Sequence, residues 1–591
     1  MRILFVLCLL FCTSLFSQDD ALAKDYFNKG DFEKALYEYK KLYAQSPSNL
    51  NYINQLVATH QQLEQYKEAE EFLLRLMSRI KYPVFFVELG YNYQLKNDLE
   101  NANINYQNAI NSLDDNVNNA FSVARSFQNH TLLNHTITVY KKAMVIKPEL
   151  NFKFQLARIY GEQGNVEEMF VSSIEFVEKN PVSLNNIKRH INDFISENSE
   201  NENNILLKKI LLRKTQQEPN LLWNKMLSWL FIQQKDFKKA FIQEKAIFSR
   251  QPESLNRIEE LANIAINEKH NDVAKEIFTF LTETAQDLET QLNAHYNLLQ
   301  LETKAHSTAN YDAINNKYLE LFKTFGMFPQ TLKLQIAYAH FLAFYKNETV
   351  NATVFLENTL KLPLIEYEKA EVKLELGDIL VLQEKFNKAL IYYTQIQRNL
   401  KNSTLSQEAR YKVAKTSYYK GDFKWAESQL KILKASTSQL IANDALDLKL
   451  LITDNKYEDS LQTALKRYAK ADLLAFQNRN NEAITVLNTI LENHKTEPII
   501  AQALFKQAQL FEEKAQYEKA QENYELIIAN YRDGILVDDA YYKLANIYEK
   551  HLNQLEKAKA LYEHIIFNHV DSIYFVEARK KYRALRGDAI N

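Results

Sequence analysis

Glycine and proline are scarce, with nine of each in 591 residues, well below the usual usage of about 7% and about 5%. So few turn formers argue against β-sandwiches and for long runs of helix. Cysteine is scarcer still. Cys8 and Cys12 both fall in the first eighteen residues, so the rest of the chain has no disulfide to rely on. Charge of one sign is also missing: a formal net charge of −2 gives no overall electrostatic case for nucleic acid or for an anionic membrane. Beyond the opening stretch, no apolar run approaches the roughly 20 residues of a membrane span.

That opening stretch, "MRILFVLCLLFCTSLFSQ", has Arg2, then an apolar core from Ile3 to Phe16, then small residues. Residues 1–18 read as a signal peptide, cleaved after Ser17. A lipid-modified cysteine would need a small residue before it, but Phe11 precedes Cys12 and Leu7 precedes Cys8. The remaining chain is then exported, to a periplasm or an outer-membrane-associated location, or is secreted.

Apolar residues make up 46% of the chain, and Tyr and Phe are abundant at 34 each. In "FVELGYNYQLKNDLENANINYQNA" (86–109) they fall on two amphipathic helices joined by a polar turn. Gly90 sits in mid-helix, where it costs about 1 kcal/mol against alanine. Small residues at 90 and 102 let the two helices approach, with Tyr93 and Tyr106 filling around the contact. The pattern recurs. The small position of the second helix returns as Ala35, Ala69, Ala102, Thr136 and Met169, at intervals of 34, 33, 34 and 33. The first-helix position gives Ala23, Val57, Gly90, Ala124 and Ala157, and a later second-helix position gives Tyr39, Leu73, Tyr106, Tyr140 and Ser173. All nine prolines fall between inferred helices, as helix-breaking requires.

On these residues the chain resembles the tetratricopeptide repeat family. Residues 83–116 carry most of its signature, lacking only the last proline, where Asp114 stands, and 26–47 and 222–252 follow it closely. The resemblance implies an all-α solenoid, a right-handed superhelix of antiparallel helix pairs. Further on the period lengthens: Ala389, Ala426, Ala483, Ala520 and Ala558 are 37, 57, 37 and 38 apart. The long interval leaves room for an extra helix near 440–455. Residues 370–575 look like the tetratricopeptide arrays of bacterial cell-envelope proteins.

This spacing divides the chain into an array at 19–288, degenerate at 183–220, and an array at 330–575. A basic capping helix and tail follow at 576–591. Between the arrays, 289–329 loses the register, either as a hinge or as drift within one continuous array.

Chemistry is hard to find. There is no phosphate loop, HExxH, CxxC or nucleophile elbow, so no cofactor, metal or enzymatic role is expected. His130 and His135 read as ordinary surface histidines, and the RGD at Arg586–Asp588 as chance. What remains is surface. The resemblance implies a concave face lined by first helices that grips a peptide or a partner's helix. In this register that face offers Asn51, Asn54, Tyr91, Gln94, Phe121, Arg125, Gln128, Phe154 and Arg158, and in the second array Tyr411, Lys415 and Tyr418. Arg125 and Arg158 hold one site in neighbouring repeats, suited to carboxylates and carbonyls. The other reading of these arginines is that they pair with nearby acids or water. Two functions stand: a non-enzymatic scaffold binding proteins or peptides in the envelope, or a binder of glycan or peptidoglycan, for which the tyrosines would supply stacking faces.

Overall fold

The computed structural model describes residues 20–305, 310–433, 438–456 and 462–588; the expected signal peptide lies outside them. Among the described residues the secondary structure is helical throughout, with no β-strand. The chain divides into two compact units between Glu253 and Ser254, upstream of the expected linker. The 34-residue step from Ala240 to Ala274 runs through that boundary undisturbed, so nothing in the spacing marks it. The stretch 289–329 holds the helices Leu288–Thr303 and Tyr311–Phe325. The former packs mainly on Asn271–Thr284 before it. Its irregular sequence reflects different packing residues, not a loss of helix.

Within each unit, consecutive helices pack along their lengths, as Val84–Leu95 does on Leu99–Asn111 and Phe386–Asn399 on Glu366–Leu382. Most of the turns inside the pairs share a left-handed residue. Gly30, Glu64, Asn97, Thr131, Gly164 and Lys235 in the front unit all have positive φ, and so do Lys269, Asn347, Glu384, Gly421, Asn478, Ala515 and Asn553 in the back. The Asn97 N–H donates to the Gln94 carbonyl at 2.9 Å and the Asp98 N–H to that of Tyr93 at 2.9 Å. The same two bonds close the turns at Glu64, Thr131, Gly164, Glu384, Gly421 and Ala515. This Schellman arrangement satisfies carbonyls that a helix end would otherwise leave unpaired. That gain offsets the roughly 1–2 kcal/mol of holding a side-chain-bearing residue in the left-handed region.

Below the turns lies the core. Ala35, Ala69, Ala102, Thr136 and Met169 are all buried to within 1% of complete exclusion, as are Ala23, Val57, Ala124 and Ala157. Tyr39, Leu73, Tyr106, Tyr140 and Ser173 are at most 2% exposed. The back unit repeats the plan. A side chain at Gly377 would run into Tyr393, and the Tyr393 hydroxyl donates to Asp378 at 2.6 Å. The long interval between Ala426 and Ala483 contains the helix Gln439–Asp454, and the helix Phe575–Arg586 follows the last pair.

Candidate functional site

Four of the expected residues meet at one place in the front unit. Phe121, Arg125 and Gln128 from the helix Ala120–Asn129 and Arg158 from Lys153–Glu162 line a cleft of about 410 Å³, with Tyr140 and Gln155 completing the wall. Both helices are first helices of their pairs. Arg125 and Arg158 stand at equivalent positions, six residues before the left-handed turns at Thr131 and Gly164. Each is exposed, and neither has an ion-pair or hydrogen-bond partner among the described residues. Phe121, 49% exposed, gives the cleft an apolar rim. Gln128 donates from Nε2 to both Glu162 carboxylate oxygens, at 2.9 and 3.1 Å, which fixes that edge.

The Tyr140 phenol registers the charge. Burial pushes its pKa up, while the Arg158 and Arg125 guanidiniums pull it back, so both cations bear on the cleft interior. The Gln155 Oε1 is buried without a hydrogen-bond partner. Tyr140 and Gln155 were not among the expected surface residues. Tyr140 fits the packing register and serves both roles; Gln155 is simply a polar residue one helical turn before Arg158 and Ile159.

The other expected residues of this unit lie elsewhere. Asn51 is exposed at the start of Leu50–Gln62, and Asn54 is half-buried with an unpartnered Oδ1. Tyr91 stacks on His130 at 3.8 Å between ring centroids. Gln94 accepts from the Tyr106 hydroxyl at 2.9 Å and is occupied internally. Phe154 turns onto Phe176 and His190. The two histidines are not the free surface groups that the sequence suggested. His130 pairs with Glu88 at 2.9 Å, and Glu88 also accepts from Ser126 at 2.6 Å; His135 packs between Tyr106 and Phe127. Arg586 and Asp588 bond to each other, closing the RGD on itself.

In the back unit the expectation needs correction. Tyr418 is 0% exposed and belongs to the core, because the helix Thr463–Phe476 packs onto Thr404–Lys420 and brings Ala464, Leu465 and Tyr468 into the same cluster. Lys415 is bound to Asp472 at 2.6 Å, and Asp472 also to Lys506 at 2.9 Å. Burial works against the Asp472 charge, yet Lys415 and Lys506 hold its carboxyl well below the ordinary value of 3.8. Tyr411 is half-buried beside them. Lys415 and Asp472 stand six residues before Gly421 and Asn478, the positions that Arg125 and Arg158 hold in the front unit. Where the back unit sets a cation against an anion, the front unit sets two cations.

Family comparison bears on the back unit. Residues 468–535 and 539–572 each match a family model described as tetratricopeptide repeat. These two segments are tetratricopeptide repeats. Among solved structures, one described as Naa15/Naa10 bound to HypK-THB is similar over 97% of this chain and 94% of that chain, at 10% identity and a TM-score of 0.30. Another, the APC/C hetero-tetramer Cut9-Hcn1, is similar over 95% of each chain at 12% identity and a TM-score of 0.24. No curated protein matches the sequence. Among the described residues, no three His, Cys, Asp or Glu side chains are grouped to hold a metal ion, and no helix is long and apolar enough to cross a membrane.

Proposed function

We propose that this chain is a non-enzymatic scaffold whose front unit grips an acidic segment of a partner protein in the Arg125–Arg158 cleft. The observation that carries the reading is the unpaired guanidinium pair, two like charges at equivalent positions of adjacent repeats around one cleft. Like charges repel, and an anion between them turns repulsion into two charge-assisted contacts. Phe121 adds an apolar contact beside them. Because the cleft is formed by packed helices, little ordering is lost on binding. We further propose export to a bacterial cell envelope, supported by the leader pattern of residues 1–18.

The test is affinity capture from an envelope extract of the source cells. The chain is compared with its Arg125→Glu/Arg158→Glu variant, and bound proteins and glycans are both analysed. A defined protein held by the first bait and lost from the second is expected. A protein held equally by both removes the cleft from the reading. Glycan fragments without a stoichiometric protein replace the scaffold with the glycan binder.

A further inference from the structure

A cleft of about 300 Å³ opens in the back unit where the helices Phe386–Asn399, Thr404–Lys420 and Phe423–Leu433 come together. Lys401 and Asn402 from the turn and Ser406 and Arg410 from the helix that follows line it, with Ile432, 58% exposed, on its far wall. Among the described residues no carboxylate lines it. Residues 397–410 hold Arg398, Lys401 and Arg410 against Glu408 alone. Glu408 lies two residues from both Ser406 and Arg410, which puts it on the other side of the helix. Burial raises its pKa there, and Lys412 and Asp378 are the charges that act on it.

The groups around this cleft are uncommitted. Ser406 is only 7% exposed. Its N–H donates to the Ser403 hydroxyl oxygen at 3.1 Å, but its own hydroxyl has no partner among the described residues, a costly state for a buried polar group. Arg410, one helical turn on, is half-buried, and its guanidinium reaches only the Gln429 Oε1 at 3.5 Å, the limit of hydrogen-bond range. The repeat plan does not require a loose arginine. Arg467 stands eleven residues before the left-handed turn at Asn478, as Arg410 does before Gly421, and it is engaged with His494 at 3.0 Å. Lys401 is exposed, with no ion-pair or hydrogen-bond partner among the described residues. The start of the helix Thr404–Lys420 adds its own positive potential at this end.

We infer that this cleft binds a small phosphate monoester. Two cations, a buried hydroxyl and a helix start around one space suit a dianion with several acceptor oxygens. A single carboxylate carries one charge and leaves one of the cations uncompensated. The Ser406 hydroxyl gains in the ligand the partner that the protein does not give it, and Ile432 offers an apolar wall to the organic part of the ester.

The test is calorimetric titration of the full chain with phenyl phosphate, with benzoate and sodium chloride as controls at matched ionic strength, and amide hydrogen exchange over 400–410 to locate the site. Saturable binding of phenyl phosphate that slows exchange there is expected, with benzoate bound about tenfold more weakly or less. Arg410→Gln and Lys401→Gln should each raise the Kd about tenfold, and Ser406→Ala by a few-fold. Helical circular dichroism and the thermal midpoint should stay those of the parent in Lys401→Gln, whose side chain is exposed, so its loss of binding is not a loss of fold. The Arg125→Glu/Arg158→Glu variant should bind phenyl phosphate as the parent does, which keeps this site apart from the front cleft. Absence of saturable binding, a Kd unchanged in both Arg410→Gln and Lys401→Gln, or equal binding of benzoate overturns the inference. So does binding lost in Arg125→Glu/Arg158→Glu, which would assign the anion to the front cleft.

Discussion

The carbon that Gly90 lacks would lie 2.6 Å from the ring of Tyr106. This explains a glycine in mid-helix: its place on Val84–Leu95 is taken by a tyrosine of Leu99–Asn111. Gly90→Ala should gain roughly 1 kcal/mol of helix propensity and lose about 1–3 kcal/mol to overpacking. The ring is 2% exposed, and its hydroxyl is tied to Gln94 at 2.9 Å, so it has little room to yield. A net loss of up to about 2 kcal/mol in urea titration is expected, partly recovered in Gly90→Ala/Tyr106→Leu. An unchanged midpoint for Gly90→Ala would show that the ring moves freely.

Tyr418 separates packing from surface in the back unit. Its ring is fully buried, and its hydroxyl has no hydrogen-bond partner. Tyr418→Ala should therefore cost about 3–5 kcal/mol, as for other large buried aromatics. Tyr418→Phe should raise the thermal midpoint, because it removes an unsatisfied buried hydroxyl worth about 1–3 kcal/mol. If Tyr418→Ala left the midpoint unchanged, the side chain would have to face solvent.

The contrast between Gly90 and Tyr418 shows where sequence suffices. Gly90 and its equivalents recur at near-constant spacing, and one small residue per helix is a local requirement of the pair, so the helix-pair fold can be read from residues 83–116. The turns were less legible. Glu64, Thr131, Lys235 and Ala515 carry no mark of a positive φ, which closing the same two Schellman bonds imposes at each of them. The cleft was legible where neighbouring repeats are regular: Arg125, Arg158, Phe121 and Gln128 came from one register. At Tyr418 the register stayed correct, but the surface was taken up by Thr463–Phe476, which packs there after the extra helix Gln439–Asp454. The Lys415–Asp472 pair spans 57 residues, and no local pattern announces it.

Asp472 gives a prediction with a definite sign. Its folded carboxyl is held below the ordinary value of 3.8 by Lys415 and Lys506, against the opposing effect of burial. A depressed carboxyl contributes stability that is present above pH 3.8 and lost as pH falls through the folded value. Asp472→Asn should remove that contribution and leave two lysines unpaired, costing about 3 kcal/mol at neutral pH. Below pH 3.8 the stability curves of parent and variant should converge. A constant difference across that range would mean that Asp472 acts through packing alone.

His135 works in a higher window. Burial between Tyr106 and Phe127 lowers its pKa from the ordinary 6.5. Above pH 6.5 both folded and unfolded chains hold it neutral; below, the unfolded chain takes up a proton that the folded one refuses, so stability falls. His60, His190, His295 and His564 are lowered by burial in the same direction and add to the slope. Thermal midpoints should drop between pH 6.5 and about 5, and His135→Leu should flatten part of that drop. The same slope in parent and variant would place the titration at other groups.

Arg158 allows stability and binding to be pulled apart. It stands where the back unit places Asp472, and Arg125 stands where that unit places Lys415. Arg158→Glu therefore turns a like-charge pair into a cation–anion pair on the same geometry. Both side chains are exposed, so the gain should be small, about 0.2–1 kcal/mol, and should shrink in high salt. Capture of an acidic partner should nevertheless be lost, since the new carboxylate neutralises Arg125 and repels the ligand. A more stable protein that no longer binds is the signature of arginines kept for a ligand. A less stable one would show that Arg158 supports the helix pair itself, and the cleft would then be a feature of packing.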